Sequence, residues 1–197
     1  RFWKLERTVP PRDNMPIIAV MGASSLAQIF TVPPVQVGGT PADLLAFLRG
    51  SDLSAQAGLI DGTSDAVPES PMQGMAPPGA DNPDLAAFRD AGGKMMIYHG
   101  VADPVFSVND TANWYTKLDA NNGGKAADFA RFYPVPGMNH CHGGPAADAF
   151  DLLTPLIAWG EQGTAPEPVT AHARADNEDL PEALQTATRP RCAAPTV

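Results

Sequence analysis

Apolar and polar positions along the chain sort into short elements separated by turn residues. Met15 to Met21 is an apolar run that fits a short strand or part of a helix. Pro41 to Arg49 places Leu44, Leu45 and Leu48 on one face at helical spacing, with Gly50 as the stop. Asp65 to Pro83 holds five prolines and few large apolar residues, so it reads as a long surface loop or linker. The pattern sharpens from Asn82. Pro83 to Asp90 predicts a short helix with Leu85 and Phe88 inward, ended by Gly92 and Gly93. Lys94 to His99 is a continuous apolar run before Gly100, the pattern of a strand buried on both faces. Ser107 to Leu118 predicts a helix whose start resembles a capping box, with Asp110 in place of Glu or Gln, and Asn121 to Gly124 stops it. Phe129 to Val135 predicts a second strand, closed by Pro136 and Gly137. A third helix is expected from about Ala146 to Glu161, with Phe150, Leu153, Ile157 and Trp159 inward. Pro155 kinks it or marks its true start, and Gly163 ends it.

Strand, helix, strand, helix is the order of an α/β fold with a parallel sheet and right-handed crossovers. In such sheets ligands bind beyond the carboxyl ends of the strands. Two segments stand there: His99 to Asp103, and Pro136 to His140. The chain divides into residues 1–80, a segment from 81 to 163, and a Pro-rich tail from 164 to 197, without internal repeats.

Composition narrows the class. Apolar residues make up 44%, enough for a core, while charged residues are only 18% and prolines number 21. The proline share, roughly twice the usual 5%, implies much irregular backbone. A net charge of −9 argues against nucleic acid as a partner, because a phosphate-binding surface needs clustered Lys and Arg. No apolar run of about 18 residues is present, so no membrane span is expected. The chain starts at Arg1 with neither an initiator Met nor a signal peptide, which reads as a processed or cut N-terminus. Two cysteines, Cys141 and Cys192, are too few for a disulfide scaffold. Each is free, paired with the other, or paired outside the chain.

The candidate chemistry lies on the two loop segments. A hydrolytic triad needs a carboxylate that fixes an imidazole tautomer and an imidazole placed to take a serine proton. In α/β-hydrolases the chain order is Ser, then Asp or Glu, then His. Asp103 followed by His140, with one crossover helix between, matches the last two members. The plainer alternative is that Asp103 is a turn residue before Pro104 and that His140 bonds local backbone.

Residues 82–163 resemble the closing segment of the tannase and feruloyl esterase family. The resemblance rests on Pro83-Asp-Leu-Ala-Ala-Phe88, Gly92-Gly-Lys94, Tyr98-His-Gly100, Ala102-Asp-Pro104, Val135-Pro-Gly-Met-Asn-His-Cys141, Gly143-Gly144 and Trp159-Gly-Glu-Gln-Gly163. It implies the C-terminal portion of an α/β-hydrolase with part of an inserted lid, and hydrolysis of small aromatic or hydroxyaromatic esters through a Ser-Asp-His triad. It puts the triad acid at Asp103 and the triad histidine at His140. It also implies that Cys141 forms a disulfide with a cysteine preceding the nucleophile, and hence an oxidising, secreted or periplasmic setting. Thr188-Arg-Pro-Arg-Cys192 resembles the family's C-terminal segment, whose cysteine pairs elsewhere, so separate partners outside this chain are expected for Cys141 and Cys192.

The chain departs from the family in lacking any Cys-Ser pair. Gly22-Ala-Ser24 and Gly62-Thr-Ser64 have no closing glycine and read as loop or capping serines. The nucleophile and oxyanion hole are therefore expected in a missing N-terminal part or a companion chain, with residues 1–80 belonging mostly to the lid. The family's structural calcium would sit in the lid region that this sequence does not match, so no metal ligand or cofactor is assigned here. Phe106 is a candidate wall of the acyl pocket, or else a core aromatic at a helix start. His99 reads as a satisfied buried histidine, and Trp114 and Trp159 as core. His140-Cys-His142 is too compact, without a second cluster, for zinc. Galloyl, feruloyl and terephthalate-type esters all fit the resemblance. The competing expectations are a catalytically silent α/β binding or structural module, which the absent serine favours, and an enzyme nicked into two disulfide-linked chains.

Overall fold

A computed structural model describes residues 17–76 and 79–194. They divide into two compact units, one ending at Asp81 and one beginning at Asn82.

In the first unit, Ile17–Gln28 forms helix α1 and Pro41–Gly50 forms α2. The apolar run around Ile17 is thus helical; Met15 and Pro16 lie outside the described residues. Ala19, Ala23 and Ala27, spaced one helical turn apart, are buried on one face of α1, and Leu44 is the buried anchor of α2. The α2 start is a capping box: the Thr40 hydroxyl accepts from Asp43 N–H at 3.2 Å, and Thr40 N–H donates back to the Asp43 carboxylate. Leu53–Ala57 makes a one-turn helix, α3, capped by Asp52. The proline-rich stretch is not all loop. Pro71–Met75 forms α4 because Ser70 and Gln73 cap each other reciprocally, and a proline in the first turn costs no hydrogen bond.

In the second unit, Ala86–Asp90 forms α5, shorter than its apolar pattern because Leu85 adopts a left-handed conformation (φ 47°) before it. Met95–Gly100 is strand β1, Val108–Asn121 is α6 and Ala130–Val135 is β2. The Ser107 hydroxyl caps α6 through Asn109 N–H, so the expected box with Asp110 does not form as such. The two strands pair in parallel, Met95 opposite Ala130 and Gly100 opposite Val135. This is the crossover unit anticipated from the alternating pattern.

The main core lies between α6 and the sheet. Tyr115, Leu118, Ala126, Phe129, Ala130 and Phe132 are buried there, with Phe88, Ile97 and Trp114 packed against them. Each large apolar side chain in such a core stabilises by about 1.5–3 kcal/mol through surface removed from water. The strand buried on both faces is β2; on β1, Tyr98 stays 44% exposed. Each strand has the other as its one strand neighbour among the described residues, but β2 is also bridged at Phe132 by Ala194, whereas β1 has no such second bridge.

Helix α7 runs from Leu153 to Gln162. Pro155 falls in its first turn and marks the true start, and Gly163 ends it with φ 71°. Leu153 and Ile157 do not face inward: they are 66% and 46% exposed. Trp159 is the buried anchor, with Lys94 Nζ 5.0 Å and the Arg131 guanidinium 5.5 Å from its ring. The described residues after 163 are not all irregular. Val169–His172 and Thr188–Arg191 pair antiparallel as β3 and β4, and Ala194 N–H bonds Phe132 O at 2.7 Å.

Candidate active site

Parallel pairing delivers the loops after β1 and β2 to the same end of the sheet. Two backbone bonds then tie them together: Val101 N–H donates to Val135 O and Ala102 N–H to Met138 O, both at 3.0 Å. The approach is close enough to require Gly100, since a Cβ there would collide with the carbonyl oxygens of Met138 and Asn139.

Asp103 and His140 meet at this junction. His140 Nδ1 lies 2.8 Å from Asp103 Oδ2. Because an ionised carboxylate only accepts, Nδ1 carries the proton and donates it. Asp103 is also the turn residue of the plainer alternative. Its Oδ1 accepts from Val105 N–H at 2.8 Å and from Phe106 N–H at 3.0 Å. One oxygen builds the turn and the other holds the imidazole, so the two readings describe the same residue. The Asp103 side chain is 4% exposed and that of His140 is 43% exposed. Among the described residues Nε2 of His140 has no hydrogen-bond partner, so the buried acid holds one ring nitrogen and leaves the other unengaged.

Burial works against the Asp103 charge. The Phe106 and Val105 N–H donors, together with His140, outweigh it and hold the carboxyl below the usual aspartate value. A depressed carboxyl stabilises the fold above the unfolded value, about 3.9, and that contribution is lost as pH falls through the lower folded value. Urea unfolding should therefore show wild type ahead of Asp103→Asn at neutral pH, with the gap closing as pH falls below the unfolded value and through the lower folded one. A gap independent of pH would contradict this coupling.

Phe106 is 60% exposed, and its ring lies edge-on to the imidazole with centroids 5.2 Å apart. It is thus on the site rather than in the core. His99 is the residue whose part in the site was missed. It is paired as expected, with Nδ1 2.8 Å from Thr111 Oγ1, but its Nε2 lies 3.3 Å from Phe106 O and 3.4 Å from Asp103 Oδ2. The i, i+4 relation to Asp103 was the available signal; it goes unnoticed when His99 is counted only as a strand residue.

The His140 loop is held by residues far along the chain. Asn139 N–H bonds Gly143 O at 3.1 Å, and Gly143 N–H donates to the buried Asp148 Oδ2 at 2.7 Å. Arg174 Nε reaches the same oxygen at 3.3 Å. Gly144 N–H donates to Asp179, and Asn177 Nδ2 donates to Gly144 O. Nothing in the local pattern around Asp148, Arg174, Asn177 or Asp179 announces these contacts.

Cys141 and Cys192 are both exposed, free thiols, so they are not paired with each other. Ser24 sits inside α1, not in a loop or cap, whereas Ser64 Oγ accepts from Val67 N–H at 3.1 Å as a turn residue. Among the described residues no three His, Cys, Asp or Glu side chains group to hold a metal, and no helix is long and apolar enough to cross a membrane.

Residues 47–197 match the sequence profile described as tannase and feruloyl esterase. The chain is 42% identical over 171 residues to a mono(2-hydroxyethyl) terephthalate hydrolase from Piscinibacter sakaiensis, covering 87% of this chain and 27% of that protein. It is 33% identical over 131 residues to feruloyl esterase C from Talaromyces stipitatus, covering 57% and 24%. It thus spans about a quarter of these relatives. Among solved structures, an esterase from Aspergillus oryzae superposes with a TM-score of 0.54 at 23% identity, over 85% of this chain and 41% of that one. A tannin acyl hydrolase from Aspergillus niger gives 0.53 at 20% identity, over 92% and 31%. These likenesses carry the fold, part of an α/β-hydrolase architecture.

Proposed function

The chain belongs to the tannase and feruloyl esterase family, and from that premise we propose that it supplies the acid and base of a serine-type carboxylic ester hydrolase acting on aromatic or hydroxyaromatic esters. The observation that carries the reading is the 2.8 Å contact between His140 Nδ1 and a buried Asp103, with Nε2 left facing outward.

Each residue's part follows from its position. A serine outside this chain attacks the ester carbonyl, and Nε2 of His140 takes its proton. Asp103 holds the tautomer that makes this possible and stabilises the imidazolium that results. The same nitrogen then returns the proton to the departing alcohol. The serine and the oxyanion donors belong to the N-terminal part of a longer protein or to a companion chain. Residues 1–80 belong mostly to the lid, and any family-type calcium would be bound in lid sequence beyond this chain. Exposed Phe106 beside the imidazole gives an aromatic acyl group a ring to stack on edge-to-face. Cys141, exposed next to the base, is available for the family-type bridge to a cysteine beside the nucleophile, which would place the protein in a secreted or periplasmic compartment.

The test is hydrolysis of galloyl, feruloyl and terephthalate-type esters by the full-length protein. Turnover of at least one, blocked by a serine-directed fluorophosphonate, is expected. Failure of the whole panel under conditions where the protein is folded would overturn the reading in favour of a silent module.

A further inference from the structure

We propose that His99 is a positioning residue for the Asp103–His140 pair, its Nε2–H lying between the Phe106 carbonyl and the Asp103 carboxylate so that one side chain holds both the acid and the aromatic wall. The inference rests on the functional reading above and adds a member to that site.

The tautomer follows from the partners. Nε2 of His99 faces two acceptors, Phe106 O at 3.3 Å and Asp103 Oδ2 at 3.4 Å, so it must carry a proton. Nδ1 of the neutral ring then accepts from the Thr111 hydroxyl at 2.8 Å, which fixes the ring's orientation from α6. The ring is also anchored at its base, because His99 is paired to Pro134 in the sheet register. Its side chain is 14% exposed, against 43% for His140. Asp103 Oδ2 therefore sits between two imidazoles: one open to a reactant, the other fixed to the scaffold.

The arrangement has a mechanical result. Two N–H groups fix Oδ1 through the turn. On the Oδ2 side, His140 belongs to the other loop, so His99 is the only side chain of the β1 end that bears on that oxygen among the described residues. The same Nε2–H ties the backbone of Phe106, whose ring touches His140. Loss of the donor frees the carboxylate to turn about its Cβ–Cγ bond and releases the segment carrying the aromatic wall.

Two variants of the full-length protein separate donor from bulk. His99→Phe keeps ring volume and removes the donor; His99→Gln keeps an N–H near the Nε2 position. The readouts are kcat and KM on a responsive ester, and the far-downfield proton resonance of the His140 Nδ1–H, assigned by its absence in His140→Ala. His99→Phe should lower kcat by about 10-fold, the worth of about one hydrogen bond, here the one to the Phe106 carbonyl together with the 3.4 Å contact to the carboxylate, with KM changed by less than about 3-fold. The downfield resonance should weaken in this variant. His99→Gln should restore most of the rate and the resonance. Unchanged kcat and resonance in His99→Phe would overturn the proposal. So would a Gln variant that is folded yet as impaired as Phe, since bulk alone would then be the cause. If His99→Phe does not fold, His99→Gln together with Thr111→Val, which removes the ring's orienting hydroxyl, decides by the same two readouts. Should wild type hydrolyse no ester, the functional reading fails, and the resonance still decides the role of His99.

Discussion

His140→Ala in the full-length protein should lower kcat on a responsive aromatic ester by about 10⁴-fold or more, the loss seen when the base of a serine triad is removed. The large effect follows from the position of Nε2, the outward nitrogen of a ring whose other nitrogen is bound to buried Asp103. Truncation removes both the proton acceptor for the serine and the proton donor for the leaving alcohol. Asp103 keeps its Val105 and Phe106 donors, so the variant should stay folded, with a modest loss of thermal stability from removing one partner of a buried carboxylate. Steady-state kinetics with circular-dichroism melting would measure both. Turnover within 10-fold of wild type in a folded variant would remove His140 from the chemistry.

Asp103→Asn should cost kcat about 10⁴-fold for a different reason. The amide oxygen of Asn can still accept from Val105 and Phe106, so the turn survives. The amide NH₂ then faces Nδ1 of His140 and forces that nitrogen to accept. The ring's proton moves to Nε2, which can no longer take one from a hydroxyl. KM should change little, since the Asp103 side chain, 4% exposed, offers a substrate almost no surface. Asp103→Glu, reaching the same ring from a longer stem, should recover part of the rate while disturbing the turn. A loss under 10-fold in Asp103→Asn would mean the carboxylate does not set the tautomer.

The legible parts of this molecule are those encoded over short distances. The crossover unit could be read because β1, α6 and β2 each fill one uninterrupted pattern, closed by Gly100, by Asn121 to Gly124 and by Pro136 with Gly137. Asp103 and His140 could be placed together because parallel strands put their following loops at one end of the sheet. Exposure was misjudged where apolar spacing was the only guide. Leu153, Ile157 and Trp159 all fit an inward stripe, yet of the three only Trp159 is buried, its ring flanked by Lys94 and Arg131. The last thirty or so residues were the least legible. Their prolines suggest irregular chain, but their order comes from partners distant in sequence: Asp148 with Arg174, and Asp179 and Asn177 with Gly144. No local periodicity records such pairings. His99 was hidden for a related reason, since its role depends on where a turn four residues later returns.

The bridge from Ala194 to Phe132 has a directional consequence. It puts Ala194 across part of the outer side of β2, where an incoming strand would otherwise find free carbonyls and amides. The flank of β1, where Tyr98 is 44% exposed, has no such barrier among the described residues. Any enlargement of this sheet is thereby steered to one side, and recombinant handling of the chain should treat that flank as its adhesive face.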